Sequence, residues 1–296
     1  MDLKELYPAF KAASEAMKSI YDPVCARYAE KFHITPLEMN VFSAVPTFEP
    51  NPVSPAILNI RSPYTAPEHY RSILEKLASE GLLKSVGADQ FRITERGLEA
   101  LKEILNAIYN TMAGLQSFSV TKMMDLASRL KELADACMGA PDPPGIWCIQ
   151  HERRKDPGSG SPMMARIDQF LSELLAFRDD ANLAAWRRYK CSGHTWEVLT
   201  LLWVEQESSV EEINRALQRR GFSVEQTEET VDKLLKREWL RQLNGRLRIS
   251  PIGAEIRHTA EMTTDRFYLE RFSCFSGLEL ARTLELIKEH RRGFRA

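Results

Sequence analysis

Apolar residues recur along this chain at helical spacing almost throughout, and at strand spacing in two short places. Between residues 3 and 32, Leu6, Phe10, Ala13, Met17, Ile20, Val24 and Tyr28 form one stripe with the period of an amphipathic helix. Pro23 within that stripe predicts a kink or a division. Thr35-Pro36-Leu37-Glu38 reads as a helix start, with Thr35 as N-cap, Pro36 in the first turn and Glu38 completing a capping box. Leu37, Val41, Phe42 and Val45 then turn inward. A short helix over 54–60 follows, anchored by Val53, Ile57 and Ile60. Thr65-Ala66-Pro67-Glu68 predicts a second capping box and a helix that buries Tyr70, Ile73, Leu74 and Leu77 and ends at Gly81. Strands at 83–86 and 90–93 flank a turn at Gly87-Ala88-Asp89. Thr94 then caps a long helix over 95–113, and another follows over 120–138.

Pro141, Pro143, Pro144, Gly145, Pro157, Gly158, Gly160 and Pro162 interrupt the periodicity and predict a linker over 141–162 between domains 1–140 and 163–296. Ile146-Trp147-Cys148-Ile149 within it is apolar, which predicts a docked strand or a packing segment. Beyond it come helices over 163–178 and 180–190 and three short capped helices. Ser192 caps the first, which carries Val198, Leu199, Leu201 and Leu202. Ser208 or Ser209 caps the second, with Val210, Ile213 and Leu217. Ser223 caps the third, with Thr227, Val231 and Leu234. Asn244-Gly245 is a two-residue hairpin turn between strands at 240–243 and 246–249, and helices over 251–271 and 276–291 complete the chain.

The second series repeats the first. Lys76-Leu77-Ala78-Ser79-Glu80-Gly81-Leu82-Leu83-Lys84 aligns with Lys233-Leu234-Leu235-Lys236-Arg237-Glu238-Trp239-Leu240-Arg241 at an offset of 157. Phe91-Arg92-Ile93-Thr94-Glu95-Arg96-Gly97 aligns with Leu247-Arg248-Ile249-Ser250-Pro251-Ile252-Gly253 at 156, so the hairpin turns differ by one residue. Residues 35–104 and 192–260 are therefore two copies of one unit, too long for a solenoid repeat.

Three short helices, a hairpin and flanking long helices resemble the MarR family of winged helix-turn-helix regulators, as does the Phe-Arg-Ile-Thr-Glu-Arg-Gly run after the first hairpin. Phe177-Arg178-Asp179-Asp180-Ala181-Asn182-Leu183-Ala184-Ala185-Trp186 is similar to a segment of a group of bacterial MarR-like proteins, where a histidine is common in place of Asn182. The resemblance implies a mainly α fold of two tandem winged helix-turn-helix domains with small β-hairpin wings, packed through their long flanking helices. It implies a single-chain pseudo-dimer, a monomer with an internal pseudo-two-fold, that binds double-stranded DNA as a transcriptional regulator. The third helix of each unit would enter the major groove and the wing would grip the backbone. His69, Arg71, Ser72, Lys76 and Arg92 are then the candidate DNA contacts in the first unit, and Gln226 and Arg246 in the second. MarR proteins often bind small aromatic effectors between the dimer helices and the winged unit. That places a candidate effector pocket at Met112, Phe118, Phe267, Tyr268 and Phe272.

Charge weakens the DNA expectation. The net charge is −1, and residues 1–150 carry 15 basic against 18 acidic side chains, residues 151–296 carry 25 against 23. The third helix of the second unit exposes Glu225, Glu228, Glu229 and Asp232, which oppose the phosphate attraction that dominates affinity for DNA. A second function class therefore stands beside the first: a winged-helix pseudo-dimer that has lost DNA binding and serves as a ligand-binding or protein-interaction module. Arg178-Asp179-Asp180 reads as helix-surface ion pairs at a helix break, or as a buried charge cluster at a unit interface. No catalytic set or cofactor motif stands out, so no enzyme and no cofactor are expected. Cys148-Ile149-Gln150-His151 has metal-ligand spacing without a second pair to complete it. The five cysteines are scattered, no apolar run reaches the ~20 residues of a membrane span, and the first residues lack a signal-peptide pattern. Together these predict a cytoplasmic chain with no membrane partner.

Overall fold

The computed structural model describes residues 3–205 and 207–294. The protein is mainly helical, with two small antiparallel sheets. Helix α1 spans Leu6–Lys31, α2 Pro36–Ala44, α3 Pro55–Arg61 and α4 Pro67–Ser79. Strands β1 (Leu83–Gly87) and β2 (Gln90–Ile93) form a hairpin, followed by α5 (Glu95–Ala113), α6 (Val120–Met138) and α7 (Trp147–Arg153). The second series is α8 (Met163–Arg187), α9 (Gly193–Glu205), β3 (Glu207–Ser208), α10 (Val210–Ala216), α11 (Val224–Lys236), β4 (Leu240–Leu243), β5 (Arg246–Ile249), α12 (Pro251–Glu270) and α13 (Gly277–Arg292).

The repeat has a hydrogen-bonding cause. After α4 the chain turns through Gly81 at φ 72°, and after α11 through Glu238 at φ 58°. Thr94 N–H donates to the Leu82 carbonyl at 3.1 Å, and Ser250 N–H to the Trp239 carbonyl at 3.0 Å. The Thr94 hydroxyl donates to the Gly81 carbonyl at 2.8 Å and accepts from Gly97 N–H at 2.9 Å, and Ser250 repeats that pattern with Glu238 and Gly253. A Cβ at Gly97 would lie 2.2 Å from the Leu82 oxygen, and one at Gly253 2.2 Å from the Trp239 oxygen, so both positions demand glycine. The hairpins pair Leu83 with Ile93 and Leu240 with Ile249. An irregularity between Ser85 and Gly87 absorbs the extra residue of the first turn. β3 adds a third strand beside β5, and a bridge between Val53 and Phe91 stands in the corresponding place of the first unit.

The long helices interlock across the two halves: α6 packs on α8, and α13 packs on α1. Their buried side chains form one core with those of the second unit, whereas α2–α4, the first hairpin and part of α5 enclose a separate core of their own.

Several local expectations are corrected. α1 runs unbroken through Pro23. The second capping box does not form, because Ala66 and not Thr65 occupies the N-cap of α4. Of the two candidates Ser208 and Ser209, Ser209 caps α10, as one of the expected alternatives. Residues 163–187 make one helix without a break at 179–180, and each member of Arg178-Asp179-Asp180 has a separate use. Arg178 pairs with Glu261 at 2.6 Å and Asp265 at 3.0 Å, and Asp179 with Arg61 at 3.2 Å. Asp180 accepts from the backbone N–H groups of Cys148 at 2.7 Å and Ile149 at 3.1 Å. It thereby satisfies the start of α7, a helix where a strand or an irregular packing segment was expected, with Cys148 and Ile149 fully buried.

Candidate functional site

In α4, the helix expected to enter the major groove, the N-cap and His69 contact the second unit, while Pro67, Glu68 and Ser72 are exposed. Ala66 N–H donates to the Arg220 carbonyl at 2.8 Å. Gly221 lies against His69 at φ 75°, so close that a Cβ there would sit 2.5 Å from the His69 Cβ. The Arg220 guanidinium lies over Tyr64 at 5.6 Å from the ring centre and pairs with Glu197 at 2.5 Å. The Tyr64 hydroxyl donates to Asn182 at 3.1 Å and accepts from the Trp186 indole at 3.1 Å. Gly193 abuts the Pro63 carbonyl, where a Cβ would come within 2.1 Å. The segment leading into α4 is thus fastened to α8, α9 and the 218–221 turn.

The candidate DNA contacts are individually engaged. Arg71 makes a bidentate pair with Asp89 on the hairpin turn, at 2.7 and 2.8 Å, and both groups are pulled toward their charged forms by that hydrogen-bonded pairing. Lys76 pairs with Glu80, and Arg92 with Glu49 at 3.6 Å and with the Pro50 carbonyl. Arg246 pairs with Glu212 at 2.7 Å. Gln226 caps its own helix, accepting from Ser223 N–H at 2.9 Å. His69 is half-buried against the second unit, and Ser72 is exposed. Exposed ion pairs of this kind are weak, so they do not by themselves remove these side chains from a phosphate. The contacts of Ala66 and His69 with the 218–221 turn, by contrast, hold the start of α4 against the second unit.

The five residues expected to form an effector pocket all lie in or against the main hydrophobic core. Tyr268 and Phe272 are fully buried, Tyr268 stacking 5.9 Å from Phe177. Phe118 packs edge-on to His290 at 5.7 Å, and Phe267 packs against the main core. Large aromatic side chains at helix contacts fill them. Met112 borders a separate cleft whose lining does not include the other four.

The cleft occupies about 510 Å³ between the two hydrophobic cores. Its roof is α2–α4 with Phe48 and Tyr70, and its sides are α5, with Ile108, Tyr109 and Met112, and α7, with Trp147 and His151. Lys18 and Tyr21 of α1 and one face of α8 (Ala165, Asp168, Gln169, Ser172 and Leu175) form the floor. Its volume falls in the range of small-molecule sites. Arg61, Glu152 and Lys155 line one end, Arg61 pairing with Glu152 at 2.7 Å and Lys155 at 3.2 Å. On the floor, Tyr21 donates to Asp168 Oδ2 at 3.2 Å, while Asp168 Oδ1 is buried and has no hydrogen-bond partner among the described residues. Burial pushes the Asp168 carboxyl up to about 6, partly offset by the positive charge of Lys18 and the Tyr21 hydrogen bond. The His151 ring packs at a tilt against Trp147, 4.2 Å between centroids, and Phe48, 4.7 Å, and its burial lowers its basicity. None of these residues except Met112 was singled out as a pocket from sequence. They have no local signal, because Asp168 shares a mixed face of α8 with Gln169 and Ser172 and only the packing brings the others to it.

Cys148 is fully buried with its thiol pushed well above the ordinary range, and among the described residues no group of three or more His, Cys, Asp or Glu is placed to hold a metal ion. No described helix is long and apolar enough to cross a membrane. No protein-family model matches the chain, and neither a curated protein nor a solved structure matches it.

Proposed function

We propose that this protein is a tandem winged-helix pseudo-dimer of MarR-like type that binds a small ligand in the cleft beneath its first unit and no longer reads DNA through its third helices. The duplicated hydrogen bonds around Thr94 and Ser250, the hairpins and the interlocked long helices support the tandem reading. The observation that carries the functional reading is the bond from Ala66 N–H to the Arg220 carbonyl, with Gly221 seated on His69. A groove-reading helix presents its N-terminal residues to base edges, and here that end is fastened to the other unit. The second third-helix, α11, exposes Glu225, Glu228, Glu229 and Asp232, a repulsive face toward phosphate. Meanwhile the half-open cleft offers the volume of a small-molecule site, aromatic walls and a carboxylate oxygen without a donor.

Fluorescence anisotropy with random-sequence duplexes and with DNA flanking the protein's own gene tests the loss of DNA reading. The expected result is weak binding that disappears at physiological salt irrespective of sequence. Saturable, sequence-dependent binding that falls in Arg71→Ala and Lys76→Ala would restore the regulator reading. The self-satisfied long helices also support a monomer, and light scattering that gave twice the 33.9 kDa chain mass would overturn that.

A further inference from the structure

We propose that the cleft selects an aromatic amine, with its ammonium held by Asp168 and its ring among the aromatic side chains of the walls. This rests on the reading of the cleft as a ligand site and adds the ligand's chemical class.

The argument starts from an unanswered group. Asp168 Oδ1 is buried without a donor, and its partner oxygen receives only the Tyr21 hydroxyl. A buried carboxylate oxygen left unpaired is costly, and a ligand N–H placed there removes that cost. Three of the other lining charges are already answered within the protein, Arg61 by Glu152 and Asp179, Lys155 by Glu152, and Arg220 by Glu197, while Lys18 also lines the cleft and its positive charge acts on Asp168. A carboxylate ligand meets Lys18 beside the negative Asp168, whereas an ammonium meets a carboxylate oxygen that has no hydrogen-bond donor. Tyr21, Phe48, Tyr70, Tyr109 and Trp147 line the same space, and such faces attract both a flat ring and a cation. About 510 Å³ accommodates a one- or two-ring amine with room for water.

Acidification acts through the same atom. The groups that act on Asp168 are Lys18 and Tyr21 from α1, Tyr109 from α5 and Glu152 from α7. With the Asp168 carboxyl at about 6, it is mostly charged at pH 7.5 and mostly neutral at pH 5, so an ammonium loses its partner on acidification.

Isothermal titration calorimetry with tryptamine and indole-3-acetate, which share a ring and differ in charge, tests the proposal at both pH values, on the intact chain and on Asp168→Asn. Near-ultraviolet circular dichroism confirms that the variant is folded. The expected result is that tryptamine binds at pH 7.5 about tenfold or more tighter than indole-3-acetate, and weakens by a similar factor in Asp168→Asn and at pH 5. Equal binding of both compounds, or tryptamine binding unchanged in Asp168→Asn, would overturn the amine assignment while leaving the cleft a ligand site. No heat from either compound up to about 1 mM would overturn both.

Discussion

Replacing Gly221 with alanine probes the contact that fastens α4 to the second unit, and Gly245→Ala supplies the matched control. Both glycines sit in left-handed backbone, at φ 75° and 76°, so both substitutions carry the same conformational penalty of about 1 kcal/mol. Their surroundings differ completely. A Cβ at Gly245 meets nothing within 4 Å, whereas one at Gly221 falls 2.5 Å from the His69 Cβ and 2.6 Å from its Cγ. Neither His69 atom is the far end of a flexible side chain, so α4 and the 218–221 turn must separate. Overpacking of this kind costs about 1–3 kcal/mol. Gly245→Ala should therefore lose about 1 kcal/mol, and Gly221→Ala about 2–4 kcal/mol. Urea unfolding followed by tryptophan fluorescence measures both, since Trp186 and Trp196 stack 5.6 Å apart beside the contact. At a slope of about 2–3 kcal/mol/M, the midpoints of the two variants should differ by about 0.3–1.5 M. Equal midpoints would mean that the turn and α4 do not touch in solution, and the obstacle to DNA reading would disappear with the contact.

Three further outcomes follow from buried polar groups. Asp180→Ala strands the N–H groups of Cys148 and Ile149 at the start of α7 and should lower unfolding stability by about 2–5 kcal/mol; a loss under about 1 kcal/mol in urea would show that α7 is not held this way. His290 is fully buried, bonded to Ser117 at 2.7 Å, and burial lowers it to about 4. The unfolded chain takes up that proton first, so this contribution is intact above about pH 6.5 and is lost as pH falls toward 4, reaching about 2 kcal/mol by pH 5. His290→Gln should flatten that part of the stability profile, and an unchanged slope would contradict the assignment. Asp168 has the opposite sign: its folded carboxyl is raised to about 6, so its burial destabilises the fold above that pH and not below about 4. Asp168→Asn should accordingly raise stability at pH 7 by up to about 3 kcal/mol and leave it unchanged near pH 3.5. A stability loss at pH 7 would refute the reading of that carboxylate as unsatisfied.

The elements written into a few neighbouring residues were legible in the sequence. Thr35, Ser209, Ser223 and Thr94 cap helices as their local patterns imply, because a cap needs only a hydroxyl and an N–H three positions on. Asn244-Gly245 makes its turn for the same reason: two adjacent residues that tolerate positive φ. The repeat was legible because Gly97 and Gly253 are constrained by backbone oxygens close by in each copy. What was hidden depends on partners far away in the chain. Asp180 looked like a helix break and is the cap of α7, thirty-two residues earlier than its own position. Phe118, Phe267, Tyr268 and Phe272 looked like a pocket and are packing, since aromatic content does not distinguish a filled contact from an open one. Asp168 and Tyr21 lie 147 residues apart in the chain and meet only when α1 crosses α8. The contact between Ala66 and Arg220 joins the two units and has no local signature at all.

That contact admits a direct measurement. Ala66 is the N-cap of α4, where a backbone N–H has no acceptor within its own helix. Its acceptor is the Arg220 carbonyl of the other unit. Amide-resolved hydrogen exchange by NMR therefore reports the fastening of the units at a single atom. The expected result is an Ala66 amide protected like the interior of α4 and deprotected in Gly221→Ala. Exchange of Ala66 in the intact chain as fast as that of an unprotected amide would contradict it, and would leave the first turn of α4 open to DNA.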